Sequence, residues 1–330
     1  MKKAMSGFDL RAMARELDAL KGAYIKKAYM PHYEQIVLRV NPKEAEQRDI
    51  VFVRGERVYT SQRDRPMPMT PPPFAMVLRK HLRNARLTGV EQVGFDRVLA
   101  FRFDTKNGQR TLYVEVFRDG NIILVDDEGV IVQPLTHASY AGRTLKKGVS
   151  YTPPPAATDP YALDEASLGE LLMASDRDLV STLGGKVNLG ATHANAVCAL
   201  AAHEPNSPTE QADGKAVFDA LQTLLRRLED SEEGHLILRL EADDPEHWLQ
   251  TCASMDQNQR QAWLSQRAIE ATPILLPQHA DMPRVSFRSL CETIDVWKGI
   301  HDAHALQRRE EERFEQALSL IHISEPTRLR

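Results

Sequence analysis

Arg79, Arg83 and Arg86 recur at i, i+4 and i+7, with Lys80 beside them, in a stretch whose helical spacing gathers Phe74, Val77, Leu78, Leu82 and Ala85 on another side. Four cations with no acid between them repel one another, so an isolated helix gains nothing from side-chain pairing. A phosphate backbone relieves that repulsion, and each neutralised phosphate adds affinity by releasing counterions. A solvated face near strand carboxylates relieves it too, and the helix alone does not choose between the two. Asp9 follows Ser6 by three residues, the spacing of a capping box in which the serine caps an amide and the acid reaches back. As an accessible acid, Asp9 could instead accept hydrogen bonds from a base edge, the contact that reads sequence where phosphate contacts cannot. The pair Asp96-Arg97 is either a loop ion pair of little energetic weight or an oriented guanidinium fork suited to a phosphate or a base.

A glycine-rich connection, Leu183-Gly184-Gly185-Lys186-Val187-Asn188-Leu189-Gly190, has the look of a helix-hairpin-helix element. There Gly185 and Gly190 let backbone amides approach phosphate, with Lys186 adding charge; glycine-rich helix connections without that role are also common. His301 and His304 read as surface residues. The sequence contains no HExxH, CxxC, Walker or GxSxG motif, and no Cys/His spacing that suggests zinc. No catalytic centre, cofactor, metal or small-molecule substrate is therefore expected.

These residues must be positioned by elements that the periodicity outlines. A helix is predicted from Ser6 to about Lys21, with Leu10, Met13, Ala14, Leu17 and Leu20 on one face. Strands are predicted over 35–40, 50–54 and 57–60, then a proline-led helix over 74–86. A β-meander over 98–132 follows, broken at Asn107-Gly108, Asp119-Gly120 and Glu128-Gly129. Residues 151–160, with Pro153-Pro154-Pro155, read as a linker. Helices are predicted over 164–173, 177–183, 191–202 and 214–229, strands over 236–240 and 272–276, and a charged helix from about Phe287. This gives an α+β chain with a β-rich lobe at 1–150, a helical domain at 151–230, return strands and connection at 231–285, and the start of a coiled coil at 286–317. Residues 318–330 read as one frame of a common sequencing adaptor and are set aside, so the natural chain is expected to be cut near Ala317.

Composition is that of a soluble globular protein, 42% hydrophobic and 27% charged. No run approaches the roughly 18–20 apolar residues of a membrane span, and no apolar stretch follows Met1-Lys2-Lys3 to make a signal peptide. Cys198, Cys252 and Cys291 are far apart and odd in number, which suits buried thiols in a reducing cytoplasm. The net charge of −4 hides an asymmetry: residues 1–150 carry 26 Lys and Arg against 17 Asp and Glu, or +9, and the rest carry 16 against 29, or −13. A basic first lobe suits polyanion binding by that lobe alone.

Together these pieces resemble the NFACT family, over about residues 1–310. The resemblance rests on Met5-Ser6-Gly7-Phe8-Asp9 with Glu16-Leu17, on Gly22-Ala23-Tyr24-Ile25-Lys26-Lys27, on the run from Pro72 to Leu87 leading to Gly94-Phe95-Asp96-Arg97, and on Glu115-Val116-Phe117-Arg118-Asp119-Gly120-Asn121. The opening Met1-Lys2-Lys3-Ala4-Met5 is most similar to archaeal members. The resemblance implies a mixed β-sandwich lobe related to formamidopyrimidine-DNA glycosylases, a helix-hairpin-helix domain, and then a coiled coil and RNA-binding domain beyond this chain. It implies a non-enzymatic factor of ribosome-associated quality control, with transfer RNA (tRNA) and the large ribosomal subunit carrying peptidyl-tRNA as partners. Asp9, Asp96 and Arg97 match family positions required for templateless tailing of stalled chains, and on that footing all three are expected to meet in one surface pocket. Thr192-His193-Ala194-Asn195 departs from the family's usual aromatic and acids. Two alternatives are a DNA glycosylase, which lacks here an N-terminal nucleophile and clustered cysteines, and a fibronectin-binding surface protein, for which no export route is visible.

Overall fold

The computed structural model describes residues 4–43 and 46–324, with the backbone alone for 313, 314 and 316–324. The first helix, α1 (Gly7–Asp18), starts where Ser6 and Asp9 close a reciprocal cap. The Asp9 amide donates to Ser6 Oγ at 3.2 Å, and the Ser6 amide donates to Asp9 Oδ2 at 2.7 Å. Its buried side, from Phe8 through Leu10, Met13 and Leu17, lies in the core.

Four strands follow as a meander: β1 (Tyr24–His32), β2 (Gln35–Asn41), β3 (Arg48–Val53) and β4 (Arg57–Ser61). The helix α2 (Pro73–Leu82) then leads into β5 (Arg86–Gln92), β6 (Val98–Thr105), β7 (Gly108–Glu115), β8 (Ile122–Val125) and β9 (Ile131–Pro134). Among the described residues these nine pair in the order β4-β3-β2-β1-β5-β6-β7-β8-β9, every pair antiparallel. The seam between β1 and β5 is short, with Tyr24 opposite Arg86. Phe52 of β3 and Phe101 of β6 are four steps apart in that order, which a flat sheet would separate by ~19 Å. Their rings nevertheless meet edge-on at 5.2 Å. The sheet therefore folds over at the seam into the two layers of a sandwich.

The helix predicted to run to Arg86 ends earlier. Arg83 is already extended and Asn84 sits at φ +59°, a left-handed position that asparagine tolerates better than most residues. Arg86 consequently lies at the start of β5, not on the helical stripe of Arg79 and Arg83. Strand β1 was not anticipated. Its pairing with β2 shifts register between Ile25 and Lys27 and again between Tyr29 and His32, which disrupts the alternation that marks a strand.

A small hairpin, β10 (Ala138–Tyr140) and β11 (Arg143–Leu145), precedes the irregular 151–160 segment. Four helices come next: α3 (Glu165–Met173), α4 (Leu179–Gly185), α5 (Gly190–Leu200) and α6 (Gly214–Glu229). Then β12 (Gly234–Leu238), helices α7 (Trp248–Ser254) and α8 (Gln257–Arg267), β13 (Ala268–Thr272) and β14 (Arg284–Phe287) build a second antiparallel sheet, order β13-β12-β14. The strand expected at 272–276 ends where it was expected to begin. The thiols of Cys198, Cys252 and Cys291 are buried and unbridged, and burial pushes that of Cys198 up to about 11.

A long helical run follows: α9 (Leu290–Ile294), a π-helical turn (Asp295–Gly299) and α10 (Ile300–Ser324). Three contacts seat it on the first lobe. Glu16 of α1 accepts the Leu290 and Cys291 amides at 2.6 and 2.8 Å, capping α9 from a distant part of the sequence. Asp295 meets Arg63 at 3.1 Å. Asp302 takes the Arg57 guanidinium and the Tyr59 hydroxyl, the latter at 2.8 Å. Of the tail assigned to adaptor sequence, residues 325–330 lie outside the described residues, and 318–324 continue α10.

Two histidines give this part of the molecule a pH dependence. His235, at 2.8 Å from Ser286 Oγ, and His301, at 3.1 Å from Ser265 Oγ, both have pKa values lowered chiefly by burial. The unfolded chain then binds protons that the fold refuses, so their contribution is present above about pH 6.5 and lost as pH falls. The melting temperature is expected to drop from about pH 7 to about pH 5.5, and to drop less in a His235→Gln/His301→Gln double variant. An identical drop in both proteins would remove these two residues as the cause.

Candidate nucleic-acid interface

A groove runs between β1 and α2, with Lys26 and Lys27 on the strand wall and Arg79, Lys80 and Arg83 on the helix wall. Its apolar surface comes from Ile25, Ala28, Met76 and Leu78, and no acid lines it. The strand bulge turns Lys26 and Lys27 outward together, both exposed between buried Ile25 and Ala28. Arg79 is held at the groove's edge: its Nε donates to Ala28 O at 2.7 Å, and its guanidinium lies 5.4 Å from the Tyr29 ring centroid. Lys27 and Arg39 approach the same ring at 5.3 and 5.1 Å. Arg39 is neutralised by a forked bond to Asp49, at 2.9 and 3.1 Å.

Elsewhere on this lobe arginines find carboxylates: Arg57 with Asp302, Arg63 with Asp295, Arg110 with Asp127 and Arg143 with Glu115. Lys26, Lys27, Arg79, Lys80 and Arg83 make no ion pair with any described residue. The positive field extends past the groove. His81 of α2 has its pKa lowered by burial and then by Arg110, Lys80 and Lys147. Arg86, at the seam opposite Tyr24, is exposed but does not line the groove.

The start of α1 and the 93–97 turn are joined through the Gln92 side chain and a pair of phenylalanine rings. Gln92 Nε2 donates to Gly7 O and to Asp96 O, both at 2.9 Å, and Phe8 meets Phe95 edge-on at 5.0 Å. On the other side Asn188 Nδ2 donates to Phe95 O at 3.0 Å, and His193 stacks on Phe8 at 3.8 Å. The turn is thus clamped between α1 and the α4–α5 connection. Asp96 Oδ1 accepts the Arg97 amide at 2.6 Å, and no ion pair joins the two side chains; Arg97 is exposed. Asp9 is only 2% exposed. The cavity it lines includes Glu56, Arg57, Trp297 and Lys298, beneath the π-turn of the long helix, and contains neither Asp96 nor Arg97. The expected meeting of all three in one surface pocket is not what the structure places there.

In the α4–α5 connection Gly190 has φ +68° and Gly185 is exposed, while Lys186 Nζ donates to Ala174 O at 3.2 Å. Lys26 and Lys27 were missed from sequence as wall residues; two adjacent lysines breaking a strand pattern are the signal that could have shown them. Among the described residues no helix is long and apolar enough to cross a membrane, and no three His, Cys, Asp or Glu side chains are grouped to hold a metal.

Residues 6–318 match the family described as NFACT N-terminal and middle domains. The archaeal Rqc2 homolog aRqcH of Methanocaldococcus jannaschii is 29% identical over 251 residues, 72% of this chain and 37% of that protein. The human ribosome quality control complex subunit NEMF is 31% identical over 178 residues, 54% of this chain and 16% of that protein. The chain therefore spans well under half the length of either relative. In fold it is similar to the N-terminal part of the fibronectin/fibrinogen-binding protein of Streptococcus suis, with a TM-score of 0.65 at 23% identity over 88% of this chain and 98% of that one. The clamped 93–97 turn, the capped first helix and the β1–α2 groove are thus features of a chain that belongs to the NFACT family.

Proposed function

We propose that this chain is the N-terminal part of a ribosome quality-control factor whose first lobe binds tRNA. On this reading the factor works on the large ribosomal subunit with obstructed peptidyl-tRNA and recruits tRNA for templateless tailing of stalled chains, without catalytic chemistry of its own. The relatives named for ribosome quality control support the role. The observation that carries RNA binding is the set of first-lobe cations with no ion pair to any described residue: Arg79 and Lys80 of α2, Arg83 just past its end, Arg86 at the start of β5, and Arg97 on the turn beyond the far end of that strand. In the hairpin, Gly185 and Gly190 supply the close backbone approach to phosphate, and Lys186 joins them on releasing Ala174.

Arg97 and Asp9 separate in this reading. Arg97 is exposed on a rigid turn and takes a phosphate or base edge as a planar fork. Asp96 fixes the turn, and Asp9 acts from beneath, by holding the start of α1 and the floor of the long helix. Arg97→Ala is expected to weaken tRNA binding and leave the melting temperature unchanged. Asp9→Ala is expected to lower stability by about 1 kcal/mol, the scale of a lost cap, with tRNA selection lost as α1 frays. Equilibrium tRNA binding alongside thermal melting distinguishes them. Unchanged tRNA affinity in Arg97→Ala would take that residue out of the interface.

A further inference from the structure

We propose that the groove between β1 and α2 seats a single unpaired RNA strand, with its phosphates between the two cationic walls and its bases against the exposed side chains of Met76 and Tyr24. This rests on the RNA-binding reading above and adds the strand β1 to it: Lys26, Lys27 and Tyr24 become binding residues. The walls are what a single phosphodiester chain requires, because cations on two facing elements can reach both edges of one strand. A duplex carries its phosphates on the outside of a stiff cylinder and would meet one wall at a time. Ile25, Ala28 and Leu78 are packed away behind the groove, and the accessible apolar side chain lining it is Met76, which suits ribose and base faces better than phosphate. Met76 in the groove and Tyr24, one residue before Ile25 on β1, are each 50% exposed, large groups left in water on the two elements that carry the lysines and arginines. Aromatic groups interleaved with cations are how unpaired bases are held without sequence preference.

An acidic protein segment is the competing ligand, and the exposed tyrosine and methionine favour bases over carboxylates. One cation of the helix wall is also pre-set. Arg79 is fixed by Ala28 O and the Tyr29 ring, and Asn84 closes one end of the groove, its backbone amide donating to Ile25 O at 2.9 Å. Lys26, Lys27, Lys80 and Arg83 are exposed and become ordered only as the strand binds.

The experiment titrates the chain with a 12-nucleotide unstructured RNA, a blunt RNA duplex of the same length, tRNA and poly-glutamate, over a series of salt concentrations. The single strand is expected to bind more tightly than the duplex. Lys26→Gln/Lys27→Gln and Lys80→Gln/Arg83→Gln should each reduce the slope of log affinity against log salt by about 1.4, or about 0.7 per cation for a single strand. Tyr24→Ala should weaken the single strand about 5- to 150-fold, the range of one lost stacked base. Lys106→Gln, on the β6–β7 turn, should change neither. Should a double variant melt early, its single Lys26→Gln or Lys80→Gln counterpart gives half the slope change in a folded chain. Duplex binding as tight as single-strand binding, unchanged slopes, or preference for poly-glutamate would overturn the groove assignment while tRNA binding stands. Failure of the wild-type chain to bind any RNA, tRNA included, would overturn the broader reading and the groove with it.

Discussion

Replacing Asp302 with alanine is expected to lower the free energy of unfolding by about 3–5 kcal/mol, the cost of breaking a buried ion pair by removing one partner. Asp302 and Arg57 side chains are each 11% exposed, and Tyr59 beneath them is fully buried. Burial and then the charge of Asp302 hold the Tyr59 hydroxyl well above its ordinary pKa, so it remains a donor to that carboxylate. Without Asp302 the Arg57 guanidinium retains Glu56 alone, an acid on the exposed side. Lys298, whose pKa is already lowered by burial and by Arg57, would keep only Glu56 and the Trp297 ring to offset its charge. Asp302→Asn, which keeps an acceptor for Tyr59, should lose less than the alanine variant. The site of damage is also specific: α10 should become open to protease while the β-sandwich stays protected. Wild-type melting of Asp302→Ala would show that the long helix is seated by its apolar contacts alone.

Gly120→Ala should be at least as damaging, about 4 kcal/mol or more, because nothing near it can move. A Cβ there would stand 2.1 Å from Glu115 O and 2.7 Å from Phe117 O, both backbone atoms. The Gly120 amide donates to Phe117 O at 2.7 Å, and its own carbonyl accepts Arg54 Nε at 2.7 Å, so the bend ties β3's end to the β7–β8 connection. Next to it Asn121 is fully buried and bonds Thr136 through both ends of its amide. The neighbouring Asp119, at φ +63°, is the control: Asp119→Gly removes a left-handed side chain and should shift stability by less than about 1 kcal/mol. Chemical denaturation of the two variants decides the matter, and comparable stabilities would mean that the bend is more pliable than its contacts suggest.

The residues that were legible in the sequence are those whose partners are close in the chain. The capping pair Ser6 and Asp9, the prolines opening α2 and the glycine turns of the meander each announce their structure within a few residues. What escaped depends on distance or on irregularity. Strand β1 hides behind its bulges, and those same bulges turn Lys26 and Lys27 to one side of the groove. Arg86 sits at helical spacing from Arg83, but Asn84 ends the helix without the glycine that would have marked a stop. The surroundings of Asp9 could not be read locally at all, since its cavity is closed by residues near 56 and near 297. Glu115 is similar: its forked bond to Arg143 is built only when the β10–β11 hairpin folds back.

The Glu16 carboxylate that caps α9 lies 274 positions before the amide it receives. A chain made from its N-terminus folds its first lobe before residue 290 exists, because domains fold as they emerge. Until then Glu16, Arg57 and Arg63 stand open along one side of that lobe, a row of charges awaiting a late segment. Arrival of residues 290–302 closes the row like a zip, joining the first helix to a segment made far later. Closure of this seam thus waits on synthesis past residue 302, and a chain stopped short of it displays the unfinished row to solvent.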